Sequence, residues 1–377
     1  MKTCCKSEKI SLPVPIDEKV SSDTVFLDIE TLGLSSSRFP IWLIGAARTD
    51  GDPKQSIFTV TQWLSEEPGD EKRLLSSLIS YLAGCRQIIT FNGDTFDLPF
   101  IEKRAEKYDL SVDFSSIDSF DLYKLCRKLL PLLPCGNCKL KTIEQFLGIF
   151  RRDQLDGREL IRLYNENRSR PSEDQELLLL LHNFEDVENL IRLLSISVYQ
   201  KLAAIAPSDI LSCDLIWEDE CRLTYRLKHR LQLPKSIMLK TSAGFIRAET
   251  GQITGSLILS SKTHYLQKYD PSDYVWLIRE KQLLPKALAA SVAKKEKRPA
   301  QPEDCQAPAE GLFLPETEFI SPDETVYDAG QHETEKWIRV DPERLTEDFV
   351  SGYVCSLIRT AAAKKKKTKK NKSETKG

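Results

Sequence analysis

From Thr24 to about Gln200, short apolar runs alternate with longer stretches of helical spacing. "VFLDIE", "IWLIGAA", "SIFTVTQW" and "QIITFN" are rich in β-branched and aromatic residues and are bounded by polar turns, so each reads as a strand. The first strands lie close enough for hairpins, with "RTDGDPKQ" as the turn between the second and third. Helical patterns open near Asp97, Lys139, Gly157 and Glu173. A strand meander followed by alternating helices and strands predicts an α/β domain over residues 23–200, with a mixed central sheet flanked by helices.

The texture changes after about Ala203. "SIMLKTSAGFIRAETGQITGSLILS" alternates with period two and turns near Glu249 to Gln252, which predicts a β-rich or α+β accessory region over residues 204–291. "KKEKRPAQPEDCQAPAEG" is polar and rich in proline and is read as a linker over residues 292–311. Residues 312–360 read as a C-terminal α+β segment closing in an amphipathic helix, "PERLTEDFVSGYVCSLIR". Residues 361–377 read as a disordered lysine-rich tail.

One strand breaks the apolar pattern. In "VFLDIETLGL" the acids Asp28 and Glu30 stand inside a run that is otherwise core-like. Acids are depleted in strands, and an unpaired buried carboxylate costs several kcal/mol or takes up a proton. Side chains alternate along a strand, so these two share one face and are placed to hold a cation between them. An exposed edge strand with solvated acids is the plainer reading.

Two later segments carry matching groups. "TFNGDTFDLPFIEKR" follows a strand and opens a helix, with Asn92 at the strand end, Asp97 at the first turn and Pro99 within it. Alone, these residues describe a helix cap and a turn. "LLLLLHNFEDVENLIRLL" is an apolar helix with His182 and Asp186 four apart, hence on one face. Four carboxylates converging with an imidazole would repel one another severely without cations. Two divalent ions about 3.5–4 Å apart would neutralise them and clamp the oxygens of a phosphoryl transfer.

Composition narrows the setting. The 377 residues allow two domains or one domain with a large extension. No N-terminal apolar run resembles a secretory signal, and no segment approaches the roughly 20 apolar residues of a membrane span. Ten irregularly spaced cysteines suit a reducing compartment, so a soluble cytoplasmic protein is expected. Cys135 and Cys138 form a lone CxxC, half of a zinc site, and Cys213 and Cys221 are poorly spaced to complete it. The net charge of −2 conceals a tail, from Lys364 to Gly377, of eight lysines and one glutamate, net +7, which leaves −9 on the remainder. Such a tail favours contact with a polyanion, nucleic acid first.

Asp28-Ile-Glu30-Thr31 with Gly33, "FNGDTFDLPF" with Asp97, and "HNFEDV" with His182 and Asp186 resemble, in order and spacing, the three exonuclease motifs of the DEDD superfamily. With "CKLKTIEQFLGI" ahead of the third, the pattern is most similar to the YprB-like branch, and it covers about half of the chain. Three residues separate His182 from Asp186, unlike the better-known subgroups and like the His-Asn-x-x-Asp form of that branch. The resemblance implies a ribonuclease H-like fold and a 3′ to 5′ exonuclease using two Mg²⁺ or Mn²⁺ ions. It implies that Asp28 bridges the ions, that Glu30, Asp97 and Asp186 complete their sites, and that His182 orients or deprotonates the attacking water. Thr31 and Asn92 would hold the terminal nucleotide, and Lys139 and Lys141 the backbone of a single-stranded DNA or RNA 3′ end. The competing class is a catalytically silent ribonuclease H-like protein that only binds nucleic acid. A binder, however, gains nothing from concentrated negative charge beside phosphate.

Overall fold

The structure is a computed structural model that describes residues 1–10, 20–49, 57–319, 325–328 and 335–364. The chain divides into two compact units, one built from Met1–Lys201 with Gln232–Lys235, the other from Leu202–Leu231 with Ser236–Lys365. Among the described residues no helix is long and apolar enough to cross a membrane.

The first unit is built on a six-stranded mixed sheet. Its strands are β1 (Lys2–Lys9), β2 (Thr24–Thr31), β3 (Ile41–Thr49), β4 (Ile57–Leu64), β5 (Gln87–Thr90) and β6 (Asp118–Asp121), in the order β1-β4-β3-β2-β5-β6. The β1 to β3 side is antiparallel, whereas β2, β5 and β6 run parallel. Around it lie α1 (Glu71–Tyr81), α2 (Asp97–Glu106), α3 (Leu122–Leu129), α4 (Leu140–Leu147), α5 (Gly157–Ser169), α6 (Glu173–Leu193) and α7 (Val198–Ala203). The mixed α/β sheet flanked by helices is thus present, widened by β1 on its edge. The sequence "KTCCKSEK" hides this strand because polar, charged residues suit an unprotected edge.

The alternation of β2 decides what each face carries. Val25, Leu27 and Ile29 enter an apolar core with Leu74, Leu75 and Leu78 of α1 and Leu98 and Ile101 of α2. Phe26, Asp28 and Glu30 therefore point the other way, toward α6, which packs across β2, β3 and β4. Close approach of that helix depends on Gly45, since a Cβ there would come within 2.2 Å of Asn183 Oδ1 and 2.8 Å of Val187 Cγ2.

The second unit begins with β7 (Ser212–Trp217), β8 (Arg222–Lys228), β9 (Ile237–Thr241), β10 (Gly244–Glu249) and β11 (Gln252–Ile258). They form one antiparallel sheet in the order β7-β8-β11-β10-β9, and the β10–β11 hairpin turns between Glu249 and Gln252. Then come β12 (His264–Gln267), β13 (Tyr274–Leu277), β14 (Gln282–Pro285), β15 (Lys297–Pro299), β16 (Gln306–Ala309), β17 (Leu312–Pro315), β18 (Val326–Asp328), β19 (Lys336–Val340) and α8 (Glu347–Ala363). Residues 292–311, expected as a linker, instead supply β15 and β16, which pair with β13 and β12. Their prolines stand in short strands with few ladder bonds to lose, which is where proline is tolerated in a sheet. α8 likewise runs through Ala361–Ala363, three residues into the expected tail, as alanine's helix propensity favours. The remaining tail, residues 365–377, and most of the turn expected after β3, residues 50–56, lie outside the described residues.

A buried ion pair fixes α2, and with it Asp97, against the sheet. Glu71 on α1 accepts from Arg104 Nε at 2.7 Å, from Arg104 Nη2, from Tyr108 Oη at 2.8 Å and from the main-chain Ile41 N–H at 2.8 Å. Both charged side chains are only 2% exposed. Removing one member of such a pair leaves the other charged and unpaired. Arg104→Ala is expected to cost about 3–5 kcal/mol in urea unfolding. Arg104→Lys, which keeps the charge but not the two-pronged geometry, should fall between that variant and the parent.

Candidate metal centre

The parallel pairing of β2 with β5 ends at Phe26 and Ile89, so from there to Thr31 β2 is paired only with β3 and its other edge is left without a strand. Asp97 fills the gap: its Oδ1 accepts the Ile29 N–H at 3.3 Å from the first turn of α2. Beyond this point the register of β2 against β3 shifts between Glu30 and Thr31, an irregularity of the kind that re-aims side chains beside functional sites. The crevice therefore opens past the carboxyl end of β5, where α/β sheets commonly bind ligands.

Across it lies α6. His182 Nε2 is 3.5 Å from Glu30 Oε1 and 3.3 Å from Asp186 Oδ2. One ligand atom from each of Glu30, His182 and Asp186 lies within 4.8 Å of the other two, and no other such cluster exists among the described residues. Asp28 joins through Asn183, whose Nδ2 donates to its Oδ2 at 2.9 Å. Asn183 is itself held by Gln62 of β4, which donates at 2.9 Å to Asn183 Oδ1 and to the Leu180 carbonyl.

Electrostatics binds all four acids into one group. Burial, then the charges of Asp186, Glu30 and Asp97, raises the Asp28 carboxyl well above its ordinary range. Burial, then Asp186, Asp97 and Asp153, does the same to Glu30. Asp97 is pushed up to about 7, chiefly by burial and further by Asp121 and Asp186, against the pull of its main-chain hydrogen bonds. The two carboxylates of the tight cluster are hard oxygen donors of the sort that hold a divalent ion, and the imidazole stands beside them with Nε2 free to accept a proton. The residues fit a cation in both donor chemistry and uncompensated charge.

Three partners of this centre escape a reading of the sequence. Asp153, in the loop between α4 and α5, lies 2.6 Å from His182 Nδ1 through its Oδ2 and so directs Nε2 at the carboxylates. Arg151, two residues earlier, pairs with Asp186 and gives three hydrogen bonds of 2.7–3.0 Å to the buried Glu144. Glu185 accepts the main-chain N–H groups of Arg152 and Asp153 at 3.0–3.1 Å and pins the loop to α6. The signal available for Arg151 and Asp153 was slight, a charged run, "RRDQ", between two helices, and Glu185 stood unmarked within "HNFEDV".

The expected substrate residues are spread around this centre. Thr31 donates its hydroxyl to the Gly33 carbonyl at 3.0 Å. Asn92 has a positive φ of 71° and is steadied by Asp121, whose Oδ1 accepts its N–H at 2.8 Å. The Asn92-Gly93 turn uses its glycine for closeness rather than for φ, since a Cβ at Gly93 would meet Thr90 Oγ1 at 2.3 Å. Lys139 caps the start of α4 and is exposed, whereas Lys141 Nζ is engaged by the Leu155 carbonyl at 3.0 Å. Cys135 and Cys138 are buried with Cys126 as a neighbouring thiol, and neither belongs to a candidate metal cluster among the described residues.

Residues 25–198 match RNase_H_2, a family of the RNase_H superfamily. This stretch is a ribonuclease H-like domain. Among solved structures, the family B DNA polymerase from the hyperthermophilic archaeon Pyrobaculum calidifontis is similar at 13% identity and a TM-score of 0.37, over 89% of this chain and 41% of that one. The chain spans about two fifths of the length of that polymerase. No curated protein matches the sequence.

The raised carboxyls of the ribonuclease H-like domain link stability to pH. Without cations, the folded protein keeps protons at pH values where the unfolded chain has already released them. For Asp97 this contribution is complete below the ordinary carboxylate pKa near 4 and is lost as pH rises through about 7, and Asp28 and Glu30 are shifted in the same direction. In chelator, stability should fall from about pH 5 to about pH 8, by on the order of 2–4 kcal/mol for Asp97 alone. Mg²⁺ or Mn²⁺ should restore the melting temperature at the higher pH far more than at the lower, and Asp28→Asn should flatten the decline. Thermal unfolding across that range checks all three outcomes.

Proposed function

We propose that the ribonuclease H-like domain is a metal-dependent 3′ to 5′ exonuclease of the YprB-like, DEDD type, acting on single-stranded ends of DNA or RNA. The observation that carries this reading is the convergence of Glu30, His182 and Asp186 within 4.8 Å, beside two further acids whose carboxyls are raised. Arg151 lowers the Glu30 carboxyl somewhat, yet it stays well above its ordinary range. The internal cation does not suffice. The 3′ to 5′ direction rests on the resemblance of the three motifs.

Asp28, Glu30, Asp97 and Asp186 are the assigned ligands for two divalent ions, which when bound would offset the carboxylates, activate water and stabilise the leaving oxygen. The chain supplies the rest. His182 takes the proton of the attacking water at Nε2, because Asp153 holds Nδ1 and leaves the other nitrogen facing the carboxylates. The water oxygen bonds to phosphorus as the bond to the 3′ oxygen of the preceding nucleotide breaks, freeing a nucleoside monophosphate. Thr31 and the Asn92 amide, whose Nδ2 has no partner among the described residues, are assigned to the terminal nucleotide, and Lys139 to the backbone of the strand.

Purified protein with Mg²⁺ or Mn²⁺ should shorten a 5′-labelled single strand stepwise and release mononucleotide from a 3′-labelled one. Asp28→Ala should abolish cleavage while binding survives. Loss of a general base predicts that His182→Ala lowers turnover by roughly 10²–10⁴ with little change in metal affinity. If the parent protein hydrolyses no oligonucleotide with a free 3′-OH under any metal, the exonuclease assignment fails and the silent binder replaces it.

A further inference from the structure

The five-stranded sheet of the second unit has two unlike faces. One carries Cys213, Leu223, Tyr225, Leu227, Ile246 and Ile253, all buried, and α8 packs on it from β7 across to β9. The other is open. Register places Arg226 opposite Thr254 and Thr254 opposite Arg247, with Met238 next in the same row. A second row runs Ile216, Thr224, Ser256, Phe245, Lys240.

Basic residues dominate the open face. Arg222, Arg226, Lys228, Lys240 and Arg247 stand against Asp214 and Glu249, on a chain whose net charge is −2. Arg222 and Arg247 are paired with Glu218 and Glu249, but among the described residues Arg226, Lys228 and Lys240 have no ion-pair partner. Among these charges lie exposed apolar side chains, with Phe245 43%, Met238 59% and Ile216 65% exposed. Strand spacing of about 4.8 Å puts Arg226 and Arg247 roughly 10 Å apart with a small threonine between them.

We infer that this face is a docking surface for single-stranded nucleic acid, held by Arg226, Lys228 and Lys240 at its phosphates and by Phe245 under a base. Charge complementarity selects a polyanion. The flat aromatic selects unpaired bases, because stacking needs a base face that a duplex hides. Positive charge with an aromatic platform is the combination that binds single strands without sequence preference. The assignment does not depend on hydrolysis and survives if the first unit proves silent.

Binding of a labelled oligo-dT or oligo-U single strand is measured by anisotropy, from low to moderate salt, on the full chain carrying Asp28→Ala, in chelator. Arg226→Glu with Lys240→Glu should weaken binding at least tenfold at low salt and flatten the salt slope by about 1.4, the share of two phosphates on a single strand. Phe245→Ala should weaken it about tenfold with the slope unchanged, as loss of one stacked base predicts. Lys72→Glu with Lys107→Glu, a charge-matched change on exposed lysines of the first unit, should do less than the sheet variant. Arg226→Gln, which adds no like charge, provides a milder version should the double reversal unfold. Undiminished affinity in folded sheet variants, no binding by the parent, or equal affinity for a blunt duplex would each overturn the assignment. The first of these would leave the face to an acidic protein.

Discussion

Four carboxylates facing one crevice is the constraint to which the rest of the first unit answers. Like charges a few ångströms apart in a poorly solvated site repel by several kcal/mol, and the protein cannot relieve this by moving them to solvent. Asp28 and Glu30 are fixed by the pleat of β2, Asp186 by the register of α6, and Asp97 by its bond to the Ile29 N–H. Each attachment is a main-chain feature of the sheet or a helix. The repulsion is therefore stored in the fold itself, and burial converts it into raised proton affinity until a cation arrives.

Polar groups that look misplaced in α6 are explained by the same constraint. A helix lying on a sheet ordinarily offers it leucine and valine, yet here Asn183 stands opposite Gly45, where nothing larger than a hydrogen fits. The amide bridges Gln62 on β4 to Asp28 on β2, so one side chain spaces the helix from the sheet and donates to a carboxylate that has few donors. Satisfied on both sides, the bridge costs little, whereas an apolar residue there would leave Asp28 without its donor. The tight packing of α6 and the placement of the acids are one arrangement.

Much of this was legible in the sequence because the acids violate their surroundings. Asp28 and Glu30 are conspicuous in a strand of valine, phenylalanine and isoleucine, and His182 and Asp186 in a helix of leucines. Periodicity placed β2 to β5, α2, α4, α5 and α6 for the same reason, since each has a face with a clear apolar rhythm. Elements without that rhythm went unread. β1 is polar on an edge, and β15 and β16 are short strands rich in proline. Asp153, Arg151 and Glu144 went unread on different grounds: no local pattern marks them. Their meaning arises only when the loop after α4 folds back on α6, which Glu185 brings about from thirty-odd residues away.

Arg151 shows how an internal counter-charge can coexist with a site built for cations. A guanidinium beside Asp186 would by itself neutralise one acid and blunt the attraction for a divalent ion. Glu144 prevents this. Buried and bonded to Arg151 three times, it claims most of the guanidinium's directional capacity, and Asn189 donates to it at 3.0 Å to hold it in place. Glu144, Arg151 and Asp186 therefore have formal charges that sum to −1, with the guanidinium oriented by one acid and touching the other. Asp186 is steered without being discharged. Neutralising it fully would have needed only an Arg with no second partner. Burying a further carboxylate to avoid that outcome makes physical sense where the negative charge of the centre is itself what the fold preserves.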